Sequence, residues 1–262
     1  MAPFLAYEDK SADTSPSHAL PLVLVHGHPF DRTMWAPQIE AFSASRRVIA
    51  PDLRGYGASP VVPGVTLLSR FAEDLEELLD EVKAEAFVLA GLSMGGQIAM
   101  ECCARFGDRV RGLVLADTSP APETPGGRTS RNETADRLLA EGMRGYADEV
   151  LEKMVAPTAH PEVKAHVHRM MTSTDPRGAA AALRGRAERP DYRPLLTRVA
   201  VPTLVVVGED DAYTPVSDAE AMHALLPHST LHVVRSAAHL PNLEQPTDFN
   251  ETLSRFLATV DA

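Results

Sequence analysis

Short apolar segments recur along the chain, and longer segments with helical periodicity separate them. The apolar segments are four to six residues long, are rich in Val, Leu and Ala, and span 22–25, 47–50, 86–90, 111–116, 203–207 and 230–234. Runs of this length and composition predict strands that are buried on both faces of a sheet.

The segments between the predicted strands carry apolar residues at helical spacing. One stripe comprises Phe71, Leu75, Leu78, Leu79 and Val82, and a second comprises Phe249, Leu253, Phe256, Leu257 and Val260. Apolar residues three and four positions apart lie on one face of a helix, and that face packs against the sheet. Strands that alternate with helices predict the α/β class, with a mostly parallel central sheet flanked by helices.

The alternation stops between residues 121 and 198. This segment begins with the loop-like sequence APETPGGRTSRNE and continues as helical sequence rich in Ala, Arg, Met and Glu, without a candidate strand. We interpret it as a helical cap of residues 121–198 that is inserted into a core of residues 1–120 and 199–262. We expect a surface loop at 11–18, which contains Ser, Asp and Pro.

Charge and composition exclude some classes of partner. The 262 residues carry a formal net charge of −11, which argues against nucleic acid, because its recognition requires a basic surface. No stretch reaches the ~18 apolar residues of a membrane span, and the amino-terminal residues lack the pattern of a signal peptide. The only cysteines, Cys102 and Cys103, are adjacent, and neighbours rarely reach disulfide geometry. We therefore expect a cytoplasmic protein that does not bind membranes, and its oligomeric state stays open.

The sequence AGLSMGGQ at 90–97 points to a nucleophile. Gly91, Ser93 and Gly95 fit the pattern G-x-S-x-G, which lies where a predicted strand ends and a helix should begin. A serine at the tip of such a turn has a strained backbone, and the two glycines allow the strand and the helix to approach closely. A turn that merely joins two elements has the same pattern, so the partners of the serine must decide between the two interpretations.

Candidate partners follow the last two predicted strands. A serine hydroxyl needs a histidine base, and the histidine needs a carboxylate that fixes its tautomer. Asp210 and Asp211 follow the strand at 203–207, and His239 follows the strand at 230–234. Residues beyond the carboxyl ends of parallel strands meet at one edge of the sheet. A capping aspartate and a surface histidine are the alternatives for each residue taken alone.

These motifs together resemble the α/β-hydrolase fold family, and the resemblance covers nearly the whole chain. It rests on the segments LVLVHGHPFDRTMW, VIAPDLRGYGAS, AGLSMGG, VVVGEDDAYTP and AAHLPNLEQP. The family's spacing G-x-x-D-x-x-x-P matches Gly208, Asp211 and Pro215. This match implies that Asp211 is the catalytic acid and that Asp210 is a neighbour without a catalytic role.

The resemblance implies a complete set of groups for acyl transfer. Ser93, Asp211 and His239 form the implied catalytic triad, in the chain order typical of the family. The backbone N–H groups of His28, which follows HG in VHGHPF, and of Met94 form the implied oxyanion hole. Serine at the elbow favours small-molecule esters or lactones over epoxides and haloalkanes, whose hydrolases place aspartate there. The implied reaction proceeds through an acyl-enzyme and requires neither a metal nor an organic cofactor.

Within the family, HGHPFDRTMW and AAHLPNLEQPTDFN are most similar to the branch of 3-oxoadipate enol-lactonases and related small esterases. This similarity does not identify a substrate. Two other functions stay open. Cofactor-free haloperoxidase-type perhydrolases share the triad and often carry HG-x-P near the oxyanion hole. Some members of this fold are ligand receptors in which hydrolysis is slow or absent.

Several apolar side chains are candidates for contact with the substrate. Met143, Met154, Met170 and Met171 lie in the predicted cap, and methionine adapts to irregular apolar space. As a set they predict an apolar wall over the nucleophile, although any one of them could be plain helix core. Phe30, close to the predicted oxyanion loop, is a further candidate for substrate contact.

The predicted cap also differs from the core in charge. Residues 121–198 hold 13 Lys and Arg against 11 Asp and Glu, whereas the remainder of the chain holds 12 against 25. A cap with this balance could attract an anionic lactone. Arginines on solvated helix faces give the same count, and we favour that interpretation.

Overall fold

The computed structural model describes residues 4–11 and 19–262. The described residues form one seven-stranded sheet, whose strands are β1 (Tyr7–Lys10), β2 (Leu22–Val25), β3 (Val48–Pro51), β4 (Phe87–Leu92), β5 (Val110–Ala116), β6 (Thr203–Gly208) and β7 (Ser229–Val234). The order across the sheet is β1-β3-β2-β4-β5-β6-β7. All neighbours pair in parallel except β1, which is antiparallel to β3.

Helices cover both faces of the sheet. In the described part of the chain they are α1 (Ala36–Phe42), α2 (Leu68–Glu81), α3 (Met94–Phe106), α4 (Pro125–Glu141), α5 (Arg144–Met154), α6 (Pro161–Ser173), α7 (Pro176–Arg186), α8 (Arg193–Leu196), α9 (Val216–Leu225), α10 (Pro241–Glu244) and α11 (Pro246–Val260). The predicted fold class, a mostly parallel sheet flanked by helices, is confirmed.

The six predicted strands are all present, each within two residues of its predicted bounds. The sequence analysis missed β1, because its sequence YEDK is polar and it lies at the edge of the sheet. The expectation that every strand is buried on both faces is wrong for β7, where only Val234 is fully buried. The reason is that β7 forms the opposite edge of the sheet, with one neighbouring strand instead of two.

Alternation along the central strands divides the core into two layers. Val23 and Val25 of β2 contact the layer formed by α2 and α3, whereas Leu22 and Leu24 contact the layer formed by α1 and α11. The two predicted apolar stripes lie in these layers, the first on α2 and the second on α11. Fully burying one such side chain stabilises the fold by about 1.5–3 kcal/mol, so the two layers hold the sheet from both sides.

Residues 121–198 contain α4 to α8 and, as the sequence pattern predicts, no strand; all of them belong to the described residues. Leu138 of α4 packs with Leu183 of α7 in a small apolar cluster. Val150 of α5 and Val167 of α6 join the layer of α1 and α11, and Leu196 of α8 joins the layer of α2 and α3. These helices therefore share both core layers, and the division of the chain into core and cap stays a prediction.

Helix α7 lies directly against the loop that precedes α2. The Thr66 N–H donates a hydrogen bond to the Ala181 carbonyl at 2.9 Å. A methyl group at Gly185 would overlap the carbonyl oxygen of Thr66. The close approach therefore requires glycine at this position, and it fixes the carboxyl end of α7 relative to the sheet.

Other expectations concern the cysteines, membrane spans and the amino-terminal loop. Cys102 and Cys103 are free thiols, in agreement with their adjacent positions. Among the helices of residues 4–11 and 19–262, none combines the length and the apolar character that a membrane crossing requires. Residues 12–18 of the expected surface loop lie outside the described residues.

Gly185→Ala is expected to lower the free energy of unfolding by about 1–3 kcal/mol, because the added methyl group overlaps the backbone at Thr66. Gly145→Ala in α5 is the matched control, since a methyl group there meets open space. Alanine is the better helix former, so the control is expected to raise the free energy of unfolding by up to about 1 kcal/mol. Urea titration followed by circular dichroism measures both, and equal effects would contradict the contact.

Candidate active site

Ser93 occupies a strained turn between β4 and α3. Its backbone angles are φ 57° and ψ −117°, a conformation that residues other than glycine rarely adopt. A methyl group at Gly91 would overlap the backbone of Gly95, and one at Gly95 would overlap carbonyl oxygens at the end of β2. The Ser93 N–H donates to the Ala116 carbonyl at 2.9 Å. The turn therefore requires both glycines of the G-x-S-x-G pattern.

His239 and Asp211 form a buried pair. His239 Nδ1 lies 2.9 Å from Asp211 Oδ2, and the two residues are 3% and 4% exposed. Asp210 is exposed, and its N–H donates to the Ala237 carbonyl at 2.9 Å. Because the carboxylate accepts at Nδ1, the ring carries its proton there, and Nε2 is left as an acceptor.

Asp211 stays ionised although it is buried. Burial opposes ionisation, but the hydrogen bond and charge of His239, the Thr214 hydroxyl and the Tyr213 N–H outweigh it and lower the pKa of Asp211. Each of these groups stabilises the charged form of the carboxylate. Asp211 therefore keeps the negative charge that orients the imidazole.

Glu244 fixes the loop that carries His239. Its Oε1 accepts from the N–H groups of Ala238 at 3.0 Å and Leu240 at 3.2 Å, the residues on either side of His239. Its Oε2 accepts from the N–H of Ala156 at 2.6 Å, in the loop that follows α5. The sequence analysis assigned no role to Glu244, although the residue stands in the quoted segment AAHLPNLEQP.

The loop after β2 brings His28 to the same site. The Leu53 N–H donates to His26 Nε2 at 2.9 Å, so His26 Nδ1 carries the proton and donates to the carbonyl of the next residue at 2.8 Å. His28 Nδ1 lies 2.7 Å from the Tyr56 hydroxyl, and burial lowers the pKa of His28 well below its ordinary value. Met94 is the first residue of α3, where backbone N–H groups lack an acceptor within the helix. The oxyanion hole of the His28 and Met94 amides stays a prediction.

Ser93 and His239 line one cavity of about 280 Å³. His28 lines it as well. Asp211 is not part of the cavity wall and is hydrogen-bonded to His239. Polar side chains contribute much of the remaining wall, among them Gln97, Thr118, Ser119, Tyr146 and Tyr213. Ligand pockets span about 300–1,000 Å³, so this cavity suits a small molecule.

Of the five side chains predicted to contact the substrate, all of which are described, only Met154 lines this cavity. Phe30, Met170 and Met171 are buried in the layer of α1 and α11, and Met143 is buried in the small cluster of α4 and α7. The expectation of an apolar wall built by all of these side chains is therefore corrected. Periodicity identifies the apolar face of a helix but does not show whether that face meets another helix or a cavity.

Three arginines line the cavity: Arg131, Arg186 and Arg189. Arg131 pairs with Glu123 through Nε, and Arg189 lies 3.7 Å from the same carboxylate. Arg186 is 8% exposed, and its Nε donates to Gln97 Oε1 at 3.2 Å. The interpretation of the cap arginines as solvated is therefore corrected for these three.

Arginines elsewhere in residues 121–198 agree with that interpretation. Arg128 pairs with Glu188, and Arg184 pairs with Asp136. These side chains are partly or largely exposed, and such surface pairs contribute little to stability. A count of charges along the sequence does not separate the two groups, because burial decides which arginines face the cavity.

Asp117 is a second buried carboxylate at the site. It directly follows β5 and is 1% exposed. Its Oδ1 accepts from the Gly208 N–H at 2.9 Å, and Oδ2 has no partner among the described residues. Burial, and then the negative charge of Asp211, raises the pKa of Asp117 well above its ordinary value. The sequence analysis missed Asp117, although it follows its strand much as Asp211 follows β6.

Asp117, Asp211 and His239 bring three possible metal-ligand atoms within 4.8 Å of one another. Both oxygens of Asp211 already accept hydrogen bonds, one from Tyr213 and the other from His239. The same bond occupies Nδ1 of His239. These groups are committed to orienting the imidazole, and we assign no metal to them.

The chain is similar to proteins of known fold over almost its full length. A profile described as the alpha/beta hydrolase family matches residues 22–252. A thermophilic esterase from Thermogutta terrifontis, solved with malate bound, is 40% identical with a TM-score of 0.94, over 98% of this chain and 94% of its own. The enol-lactonase from Burkholderia xenovorans is 28% identical with a TM-score of 0.88, over 97% of this chain and 96% of its own. The 3-oxoadipate enol-lactonase 1 of Acinetobacter baylyi is 28% identical over 94% of this chain and 91% of its own length.

Asp117→Asn is expected to stabilise the protein increasingly as pH rises. An acid whose pKa is raised on folding contributes its stability below the unfolded value of about 3.9, and this contribution is lost as pH rises through the folded value. Asparagine does not titrate and keeps an oxygen for the Gly208 N–H. The advantage of the variant is expected to grow by about 1.4 kcal/mol for each pKa unit of the shift.

Urea titrations of both proteins at pH 5, 6, 7 and 8 measure this difference. A difference in the free energy of unfolding that stays constant or shrinks as pH rises would show that Asp117 ionises as readily in the folded as in the unfolded chain.

Proposed function

The chain belongs to the alpha/beta hydrolase family, and from this premise we propose that it cleaves a carboxylic ester or lactone through an acyl-enzyme on Ser93. One observation carries the proposal: Ser93 on its strained turn and His239 paired with Asp211 face one cavity. The relatives are named as an esterase and as enol-lactonases, which supports ester hydrolysis as the general activity.

In the first half of the proposed reaction, His239 Nε2 removes the proton of the Ser93 hydroxyl as its oxygen attacks the substrate carbonyl. Asp211 holds the Nδ1 proton and stabilises the imidazolium that forms. The strain at Ser93 keeps its hydroxyl at the end of the β4 strand, where the cavity can present a carbonyl group. Collapse of the tetrahedral intermediate expels the alcohol, which takes its proton from His239.

The second half of the reaction releases the acid. A water molecule gives a proton to His239 Nε2 and attacks the acyl-enzyme, and the Ser93 oxygen leaves with that proton. In both halves the amides of His28 and Met94 donate to the oxyanion, and each such donor contributes about 3–4 kcal/mol. All proton transfers use groups of this chain and water, so the proposed reaction requires no metal or organic cofactor.

Met154 is the side chain of the predicted apolar wall that keeps a role in this proposal. It lines the cavity at the carboxyl end of α5, two residues before Ala156, whose N–H binds Glu244. Its flexible thioether adapts to acyl groups of different shape. We therefore assign it to substrate contact, without a part in bond cleavage.

Ser93→Ala and His239→Ala are each expected to lower kcat for p-nitrophenyl esters by at least about four orders of magnitude, because the members of a triad act as a unit. Ser119→Ala is the matched control, since Ser119 lines the same cavity and has no role in the mechanism. Stopped-flow or steady-state release of p-nitrophenol measures the rates, and circular dichroism confirms folding. A folded Ser93→Ala variant with wild-type kcat would refute the acyl-enzyme.

Asp211→Asn is expected to lower kcat by about 10⁴, because asparagine does not hold the Nδ1 proton of His239 in the required tautomer. Asp210→Asn, one residue earlier, provides the control and is expected to retain wild-type kcat, because Asp210 is exposed and the partner of His239 Nδ1 is Asp211. Measurement of kcat for both variants with one ester decides the assignment. Equal losses in the two variants would remove Asp211 from the triad.

A further inference from the structure

The cavity holds one buried guanidinium that forms no ion pair with any of the described residues. Arg186, the last residue of α7, is 8% exposed and lines the cavity together with Ser93. Its Nε donates to Gln97 Oε1, but a neutral amide does not balance a positive charge. A buried charge without a counter-ion is strongly destabilising, so a negatively charged ligand would relieve a cost that the free protein bears.

None of the other charged groups that line the cavity forms an ion pair with Arg186, as far as the described residues show. Arg131 and Arg189 share a single carboxylate, Glu123. Burial, and then the charges of these two arginines, lowers the pKa of Arg186. Asp218, which is half-buried, also lines the cavity, and it belongs to none of the ion pairs formed in the described part of the chain.

The remaining acids of the site are committed elsewhere. Asp211 holds the proton of His239, and burial raises the pKa of Asp117, which favours its neutral form. Neither acid therefore serves as a counter-ion of Arg186, which is the one arginine of the cavity wall without an ion pair among the described residues.

The guanidinium is hydrogen-bonded to α3, the helix that begins directly after the nucleophile. Gln97 follows Ser93 by one turn of α3, and the Gln97 N–H donates to the Ser93 carbonyl. One helical turn rises about 5.4 Å. The close contact between Gly185 and Thr66 fixes the neighbouring residue of α7. Arg186 is thus held against the side chain of Gln97, one helical turn after Ser93 in the chain, before any ligand binds.

We propose that Arg186 binds a free carboxylate of the substrate, so that the preferred substrate is an ester or lactone that carries a second, ionised carboxyl group. This assignment rests on the proposed function of Ser93. The planar guanidinium donates two parallel hydrogen bonds to a carboxylate. A singly charged carboxylate matches the one unpaired guanidinium, whereas a phosphate monoester brings about two negative charges.

Two esters with the same leaving group and the same acyl chain length test the proposal. Mono-p-nitrophenyl glutarate ends in a carboxylate, and p-nitrophenyl valerate ends in a methyl group. Hydrogen bonds to charged groups change binding by about 10- to 100-fold, so kcat/KM of the wild type is expected to be higher by this factor for the glutarate ester. Arg186→Gln is expected to remove the preference, and Arg186→Lys to restore part of it.

Arg184→Gln is the matched control, two residues earlier on α7, because Arg184 pairs with Asp136 at the surface. It is expected to keep the wild-type preference. Arg186→Gln is also expected to raise Tm, because it removes a buried unpaired charge. If Arg186→Gln lowers kcat/KM equally for both esters, or if the wild type prefers the valerate ester, Arg186 does not select a carboxylate.

Calorimetric titration with glutarate separates this proposal from the function of Ser93. Glutarate is expected to bind the wild type and Ser93→Ala alike, and Arg186→Gln to weaken this binding at least about tenfold. If the wild type hydrolyses neither ester but binds glutarate through Arg186, the acyl-enzyme proposal fails and the carboxylate site stands. If glutarate does not bind, or binds Arg186→Gln equally well, the carboxylate site is refuted whatever the esterase activity.

Discussion

The close approach of α3 to β2 and β4 is the contact on which the active site depends. Side chains at Gly91 and Gly95 would overlap neighbouring backbone, and Ser93, which lies between them, has the strained backbone conformation of the turn. Such strain costs about 1–3 kcal/mol. Every residue of β4 is buried, and the Thr118 hydroxyl donates to the Ser93 carbonyl at 2.7 Å. The surrounding sheet therefore holds a conformation that the turn would not keep alone.

Buried polar groups concentrate where the strands end. Four buried polar residues follow β5, β6 and β7 in the chain: Asp117, Asp211, His239 and Glu244. Most of their polar atoms bind backbone N–H groups or each other. Groups of this kind are costly to bury unless they are paired. Their arrangement favours orientation of His239 over maximal stability. Arg186 is a similar case in the wall of the cavity, because its buried charge lowers stability.

The sequence alone predicts those parts of the candidate site that depend on local sequence patterns. Ser93 directly follows the buried strand β4, and His239 follows the edge strand β7; both strands are recognisable as short apolar runs. The polar edge strand β1 was missed for the same reason, since it lacks this pattern. Arg186 was assigned to a solvated face, because its burial depends on the docking of α7 against Thr66, which is distant in the chain. Met170 and Met171 were assigned to the cavity but are buried in the core. The sequence of an apolar helix face does not show whether the face packs against a cavity or against other helices.

Glu244 joins the loop of His239 to the segment after α5, since one carboxylate accepts from the N–H groups on both sides of His239 and from the N–H of Ala156. Insertions or deletions in that segment would displace His239 as well as the cavity wall. During divergence toward new substrates, the loop after α5 is therefore constrained in length. The amino-terminal part of α4, whose residues are largely exposed, has no such hydrogen bond among the described residues, so changes in its length should leave the position of His239 unaltered.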